Sequence, residues 1–389
     1  MKHITGPHIN PFEFGRELGA AELVDRESEV DAVIRTIQAR GRLFLIGPRR
    51  FGKTSVLRVA SDKASELGAV VLRFNVEAYS NLQVLAQAIS GEAAGRLTGS
   101  AEKAGEKVRR FFGALRPEFS YDPLAGTFAM SFGTHRPDDE EALLAEVLTG
   151  VNGLARDSGR VVAIILDEFQ QVVESGGVRA ESQVRAAVQE HDSLAYVFAG
   201  SKTRLLTEMT GDHNRPFYRL GERLFLGPIP RTDFRAFLSE SFSRTGRRIR
   251  DDAAEHILDL CLDVPYNVQR LAHACWYAAP GRESAFQPED VEQQLEILVR
   301  RDDPFYTQTW NSLSRNQQKA LLAAVQEDDQ LFSRSSLARY DIAQSSLSVA
   351  LKSLVDRGVL RTSESGGAMR FVLEDPFFAV WLRLFIVTA

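Results

Sequence analysis

The run Gly47-Pro48-Arg49-Arg50-Phe51-Gly52-Lys53-Thr54, followed by Ser55, has the residue types and spacing of a phosphate-binding turn. Glycines let backbone N–H groups curl around an anion, Lys53 offers a point charge to the β- and γ-phosphates, and Thr54 offers a hydroxyl to Mg²⁺. A second element, VVAIILDEF, closes a wholly apolar run with Asp167 and Glu168. A carboxylate there costs desolvation unless a cation balances it, and Mg²⁺ on a bound triphosphate would do so. Asp167 is then the acid on the metal side, directly or through water, and Glu168 the general base that activates the attacking water. A third apolar run, LAYVFAG, leads into Ser201 and Lys202, which makes Ser201 a candidate for orienting that water. The chemistry implied is Mg²⁺-dependent hydrolysis of a bound nucleoside triphosphate, with Lys53, Glu168 and Ser201 at the reacting phosphate and Thr54 and Asp167 at the metal. An acidic pair suits attack by water, and no acceptor-substrate motif for a kinase is evident.

These residues need a scaffold that brings strand ends together. RLFLIG precedes the turn as a short apolar strand and TSVLRVASDKASEL follows it with helical periodicity. AVVLRFNVEAY, VVAIILDEF and LAYVFAGS read as further strands between helical patterns, so the fold class is α/β, a mostly parallel sheet covered on both faces. LVDRESEVDAVIRTIQARG upstream reads as an amphipathic helix carrying Val30, Val33, Ile34 and Ile37, with Gly41 as its stop. Residues 1–20 read as an arm, broken by Pro7, Pro11 and Gly15, and 21–229 as the P-loop core. An insertion at about 91–139 carries the basic residues Lys107, Arg109 and Arg110 and a hairpin built around Asp122, Pro123 and Gly126. Residues 230–300 predict a helical lid. Residues 301–389 predict three helices and a hairpin tipped by Gly366-Gly367, the pattern of a winged helix. The tail PFFAVWLRLFIV is expected to be a helix packed on that winged helix.

With 389 residues, 44% hydrophobic and 25% charged, the chain has the composition of a folded, multidomain protein and not of a disordered one. Lys plus Arg number 47 against 52 Asp plus Glu, so a polyanion would have to find a local basic face. Two cysteines, Cys261 and Cys275, match neither a metal-site nor a redox spacing. Neither a signal peptide nor a membrane span is read in the chain, and a reducing cytoplasm is the expected location.

These motifs together resemble the P-loop ATPases of the AAA+ and STAND groups, most closely the archaeal-type ATPases of the MNS-like clade. The segments carrying the resemblance are LVDRESEV, GPRRFGKTS and ILDEFQ, the first as the family's leading motif and the others as its Walker A and Walker B motifs. DVPYNVQRLAHACW resembles its Gly-x-Pro lid helix, and a C-terminal winged helix is also typical of it. The resemblance implies that Val24, Asp25 and Arg26 line the adenine and that Pro265 closes the pocket from the lid. Asp25 and Asp263 stand where the family carries glycine. Tyr266 and Asn267 occupy the positions nearest a sensor arginine, with Arg270 one helical turn later. HNRPFYRLGER resembles the stretch that supplies an arginine finger to a neighbouring protomer, which nominates Arg219 first, then Arg215 and Arg223.

Three functional classes follow. The first is an ATP-hydrolysing conformational switch, alone, as a homo-oligomer or with a partner protein. The second is an ATP-regulated DNA-binding protein resembling replication initiators, with Gln344, Ser345, Ser348 and Lys352 on the recognition helix and Arg361 and Arg370 on the wing. Against it, Glu327, Asp328, Asp329, Asp341, Asp356, Glu364, Glu374 and Asp375 nearly cancel the basic residues of that region. The third is a non-hydrolysing nucleotide scaffold in a signalling or defence assembly.

Overall fold

A strand that is apolar at every position must be covered on both faces, and that requirement builds the first unit of the chain. The computed structural model describes residues 9–98, 101–115, 117–122, 127–132, 140–279, 285–327, 330–365 and 368–387. Pro7, the hairpin tips at Pro123/Gly126 and Gly366-Gly367, and Asp328/Asp329 lie outside them. Two compact units emerge, residues 17–227 and residues 1–16 with 228–389.

The strands of the 17–227 unit are β1 (Arg42–Ile46), β2 (Val70–Asn75), β3 (Pro117–Asp122), β4 (Thr127–Phe132), β5 (Val162–Asp167), β6 (Leu194–Gly200) and β7 (Glu222–Phe225). Its helices are α1 (Glu27–Gln38), α2 (Lys53–Glu66), α3 (Leu82–Leu97), α4 (Ala101–Phe112), α5 (Glu140–Ser158), α6 (Gln170–Glu190) and α7 (Thr203–Gly211). Five strands form a parallel sheet in the order β2-β5-β6-β1-β7. Strands β5 and β6, at its centre, are buried at every residue. The short edge strand β7 is largely exposed, and its four residues are too few to show an alternation in sequence. Phe44, Phe198, Phe169 and Phe217 pack ring on ring under the strand ends, with centroids 4.5–5.7 Å apart.

The insertion begins later than the sequence suggests. Residues 91–97 complete α3, and Ala93, Ala94 and Leu97 there are core. What is inserted is α4 and the antiparallel pair β3-β4. Helix α4 is seated on α5, where Gly150 and Gly153 leave room for Phe112 and Phe111; a Cβ at either glycine would collide with the ring. Lys107 and Arg110 lie 2.7 and 3.6 Å from Asp157, so most of the expected basic patch is paired.

In the other unit lie α8 (Arg231–Arg244), α9 (Asp251–Leu260), α10 (Pro265–Ala278), α11 (Pro288–Arg301), α12 (Asp303–Asn311), α13 (Arg315–Gln326), α14 (Arg334–Arg339), α15 (Gln344–Asp356), β8 (Leu360–Ser365), β9 (Ala368–Leu373) and α16 (Pro376–Leu382). Helices α13 and α15 pack together beside the β8-β9 hairpin. The described part of the arm is no appendage: Phe12 is 0% exposed against Phe237 and Phe242, and Asn10 Nδ2 donates to the His273 carbonyl at 3.0 Å. The tail also differs from expectation. Its α-helix ends at Leu382 and passes into a π-turn, and it packs chiefly on α11 and α12. Tyr306 stacks on Phe378 and the Trp381 indole N–H donates to Asp303 at 2.8 Å, so part of the tail's aromatic face meets α12, within the 301–389 stretch read as the winged helix. No helix among the described residues is long and apolar enough to cross a membrane.

Away from the phosphate-binding turn, His191 is 4% exposed, with Nδ1 2.7 Å from the Tyr196 hydroxyl and Nε2 3.2 Å from Thr149 Oγ1. Burial, and then the Arg42 charge, hold its pKa down at about 4 against an ordinary 6.5. The unfolded chain therefore takes up this proton first, so the contribution is complete above pH 6.5 and is lost as pH falls toward 4. The stability advantage of wild type over His191→Gln is expected to shrink by about 3 kcal/mol across that window, read by urea denaturation. A pH-independent difference rules out a neutral buried imidazole.

Candidate nucleotide site

The loop between β1 and α2 owes its path to glycine and to local chain geometry. Gly47 admits no side chain, because a Cβ would sit 2.7 Å from the Leu226 carbonyl oxygen. Arg50 and Gly52 both have left-handed backbone, with φ of 68° and 91°, and a Cβ at Gly52 would meet nothing within 4 Å. Left-handed residues alternating with right-handed ones turn successive N–H groups toward a common centre, which suits an anion. Lys53 opens α2 and is 5% exposed; its Nζ donates to the Gly47 and Pro48 carbonyls, 2.8 Å each.

Strand β5 delivers the acidic pair to the same place. Thr54 Oγ1 donates to Asp167 Oδ2 at 3.0 Å, joining residues 113 apart in sequence. Asp167 is 4% exposed. Burial raises its pKa, the neighbouring Glu168 charge adds to this, and Thr54 and Lys53 only partly offset them. Glu168 has φ of 53°, a conformation that costs a non-glycine residue about 1 kcal/mol or more. The turn is imposed from below: Phe169 is 0% exposed on Phe198 and Phe217, and its N–H continues the sheet by donating to the Ala199 carbonyl at 2.8 Å. Glu168 Oε2 accepts from Ser201 Oγ at 2.7 Å, from the Ser201 N–H at 3.2 Å and from Gln170 Nε2. Burial pushes its pKa up, yet the bonds from Gln170 and Ser201 and the Lys53 charge outweigh burial and hold it low.

Ser201 is thus a partner of Glu168, and Arg49 Nε lies 3.5 Å from the Ser201 hydroxyl. Gln170 was not singled out from the sequence; its one signal was its place two residues after Glu168 in ILDEFQ. Gly200 was missed for the same reason, since a Cβ there would overlap Gln170 Oε1.

The other nominated residues have surroundings of their own. Arg26 is 5% exposed, and its guanidinium is engaged with Glu29 at 2.9 Å and the Gly227 carbonyl at 2.5 Å, so it anchors α1 within the unit. Val24 is half-buried and Asp25 exposed. Ser55 Oγ accepts from the Leu18 N–H at 3.0 Å, holding the entering chain against α2. Asp25 and Asp263 have φ of 46° and 56°. Aspartate tolerates that region better than most residues other than glycine. In the other unit Pro265 opens α10, Asn267 is 0% exposed and donates to Asp375 at 3.0 Å, Tyr266 lies edge-on to Phe14, and Arg270 is paired with Asp302 at 2.5 Å. Asn267 and Arg270 are therefore internal braces.

Among the finger candidates, Arg215 is corrected. It makes two bonds, 2.5 and 3.3 Å, to Glu181, which is 0% exposed, so it neutralises a buried carboxylate. Arg219 is exposed with φ of 55° and lies over the Tyr218 ring, while Arg223 is exposed on β7. On the winged helix Gln344, Ser345, Ser348 and Lys352 are exposed along α15. Arg361 and Arg370 share one face of the hairpin and are half-buried; burial lowers the Arg361 pKa, with Glu374 acting against it. They do not project as a phosphate-reading pair. Lys319 and Arg339 are paired with Asp341 at 2.9 Å and Glu327 at 2.6 Å.

Removing one partner of a buried ion pair strands the other. Arg215→Ala is expected to lower unfolding free energy by about 3–5 kcal/mol in chemical denaturation, and Arg219→Ala by under about 0.5 kcal/mol. Equal effects would contradict this division.

Residues 304–384 match the family described as "Probable winged helix domain". No curated protein matches the chain. Among solved structures it is similar to the Walker-type ATPase PABY2304 of Pyrococcus abyssi, with TM-score 0.60 and 17% identity over 96% of this chain and 99% of that one. It is also similar to the Aeropyrum pernix ORC1 protein in complex with DNA, TM-score 0.50 and 15% identity over 96% and 95%. The Aeropyrum pernix ORC2 protein with ADPNP and ADP gives TM-score 0.50 and 15% identity over 94% and 95%. With the parallel sheet and the strand-turn-helix at Gly47, the chain has the α/β fold of the P-loop ATPases and carries a winged-helix domain at its C-terminal end.

Proposed function

We propose that this chain binds and hydrolyses ATP with Mg²⁺ and that hydrolysis drives a conformational switch of the AAA+/STAND type. The observation that carries the reading is the 3.0 Å bond between Thr54 and Asp167, with the Lys53 charge acting on both Asp167 and Glu168. The residues present fit the nucleotide: the turn carries left-handed backbone at Arg50 and Gly52, as an anion-binding turn does, a Cβ at Gly52 would meet nothing within 4 Å, and Asp167 is a buried carboxylate short of positive charge. Among the described residues no cluster of three or more His, Cys, Asp or Glu is placed to hold a metal, so an ion would rest on Thr54, Asp167 and phosphate oxygens. When bound, Mg²⁺ supplies charge neutralisation at the phosphates. Lys53 binds the β- and γ-phosphates, Thr54 and Asp167 orient the cation, and Glu168 takes the proton of the attacking water. The γ-phosphate is the group that differs between ATP and ADP, so residues contacting it are those that make the two states unequal. Arg219 is our candidate for acting on a neighbouring copy, because it is exposed and Arg215 is committed to Glu181.

A second reading, DNA binding, is favoured by one observation: residues 304–384 match a winged-helix domain, and if α15 is taken as its recognition helix, Gln344, Ser345, Ser348 and Lys352 are exposed along it. The relative ORC1 is in complex with DNA in its own structure.

Lys53→Ala is expected to abolish ATP binding in calorimetry, while Glu168→Gln keeps binding and loses turnover by roughly a hundredfold or more. Turnover surviving in Glu168→Gln removes the assigned base. Duplex DNA binding, read by fluorescence anisotropy, should weaken with salt and fall further in Lys352→Glu. An anisotropy unchanged by any duplex ends the second reading.

A further inference from the structure

Three local costs converge beside Glu168. Its backbone is left-handed, with φ of 53°. The Gln170 side chain is 1% exposed, and its Oε1 is buried without a hydrogen-bond partner. Strand β6 ends in Gly200, where any Cβ would overlap that same oxygen and come within 2.6 Å of Leu206 Cδ1. A buried amide carbonyl left unpaired is destabilising, and an apolar side chain of equal length would remove that cost. The arrangement is therefore poorly explained by stability. What it yields is one N–H, from Gln170 Nε2 to Glu168 Oε2.

That bond has a directional consequence. Ser201 Oγ and the Ser201 N–H reach the same oxygen, at 2.7 and 3.2 Å. All three donors meet at Oε2, which leaves Oε1 as the oxygen able to take a proton from water. Ser201 approaches from the end of β6 and Gln170 from the first turn of α6, so the carboxylate is gripped from two elements. Either donor alone would leave it free to rotate about its last side-chain torsion, which is broad for glutamate.

Resting on the ATPase reading above, we infer that Gln170 is a positioning residue: it locks Glu168 through Oε2 and so presents Oε1 as the proton acceptor. It touches neither water nor phosphate in this role. A misplaced reacting group costs up to a hundredfold in rate while binding is untouched.

The test uses the full chain with Gln170→Met, which keeps side-chain length and deletes the amide, together with Glu168→Gln and the double variant. The expected result is a fall in kcat of roughly ten- to a hundredfold, with KM for ATP unchanged and a melting temperature equal to or above wild type. In the Glu168→Gln background Gln170→Met should cost nothing more, because the group it positions is gone. A lowered melting temperature with kcat following the folded fraction assigns Gln170 a structural role and overturns the inference, as does full kcat in Gln170→Met. An additional loss in the double variant overturns it too. If the wild-type protein binds ATP but turns nothing over, both the hydrolysis reading and this role fall. Wild-type turnover with an indifferent Gln170 removes this role alone.

Discussion

A carboxylate carried to the end of a fully buried strand is the constraint around which the first unit is arranged. Asp167 is 4% exposed, and its pKa is raised because the protein supplies less positive charge than burial demands. Lys53 and Thr54 supply part of the answer from the adjoining helix start. The strand that carries it cannot shift, since β5 is flanked by β2 and β6 and covered on both faces. The next residue then has only a narrow choice. Phe169 is drawn under the sheet by Phe198 and Phe217, and Glu168 is forced into left-handed backbone above it. Apolar packing thereby sets the direction of a polar side chain.

The same division explains what was legible in the residues. Strands β5 and β6 were readable because full burial leaves an uninterrupted apolar run, β1 and β2 because short apolar runs stand between helical patterns, and the turn at Gly47 because glycine and lysine at fixed spacing have few other uses. Helices α13, α14 and α15 with the β8-β9 hairpin were readable from period and turn chemistry. The partners of charged side chains were not. Arg215 and Arg219 are alike in sequence, yet one meets a carboxylate that is 0% exposed and the other lies exposed over Tyr218. Arg26 and Ser55 adjoin or belong to legible motifs but serve the chain's own anchoring. Gln170 lay inside a legible motif without an evident task, because its meaning depends on a serine 31 positions later reaching the same oxygen.

Two aspartates, Asp25 and Asp263, sit in left-handed backbone that glycine adopts more easily. Asp25 lies just before α1, and Asp263, beyond the end of α9, has its N–H bonded to the Leu258 carbonyl at 3.1 Å. Asp263 adds a function glycine lacks, since its carboxylate joins Glu255 and Asp259 around Arg231. A local electrostatic cluster is thus built on a residue in left-handed backbone.

The path of the first described residues bears on how the molecule can be observed. Residues 9–16 belong with 228–389, with Phe12 in that unit's interior, whereas Glu17 and Leu18 are fastened to Arg73 and Ser55 of the other. A fluorophore attached near Ile9 would therefore report on the C-terminal half of the polypeptide, although in the linear sequence it stands at the other end, ahead of the first unit. Likewise, a gene fragment beginning at codon 228 would encode helices missing the phenylalanine around which Phe237 and Phe242 close.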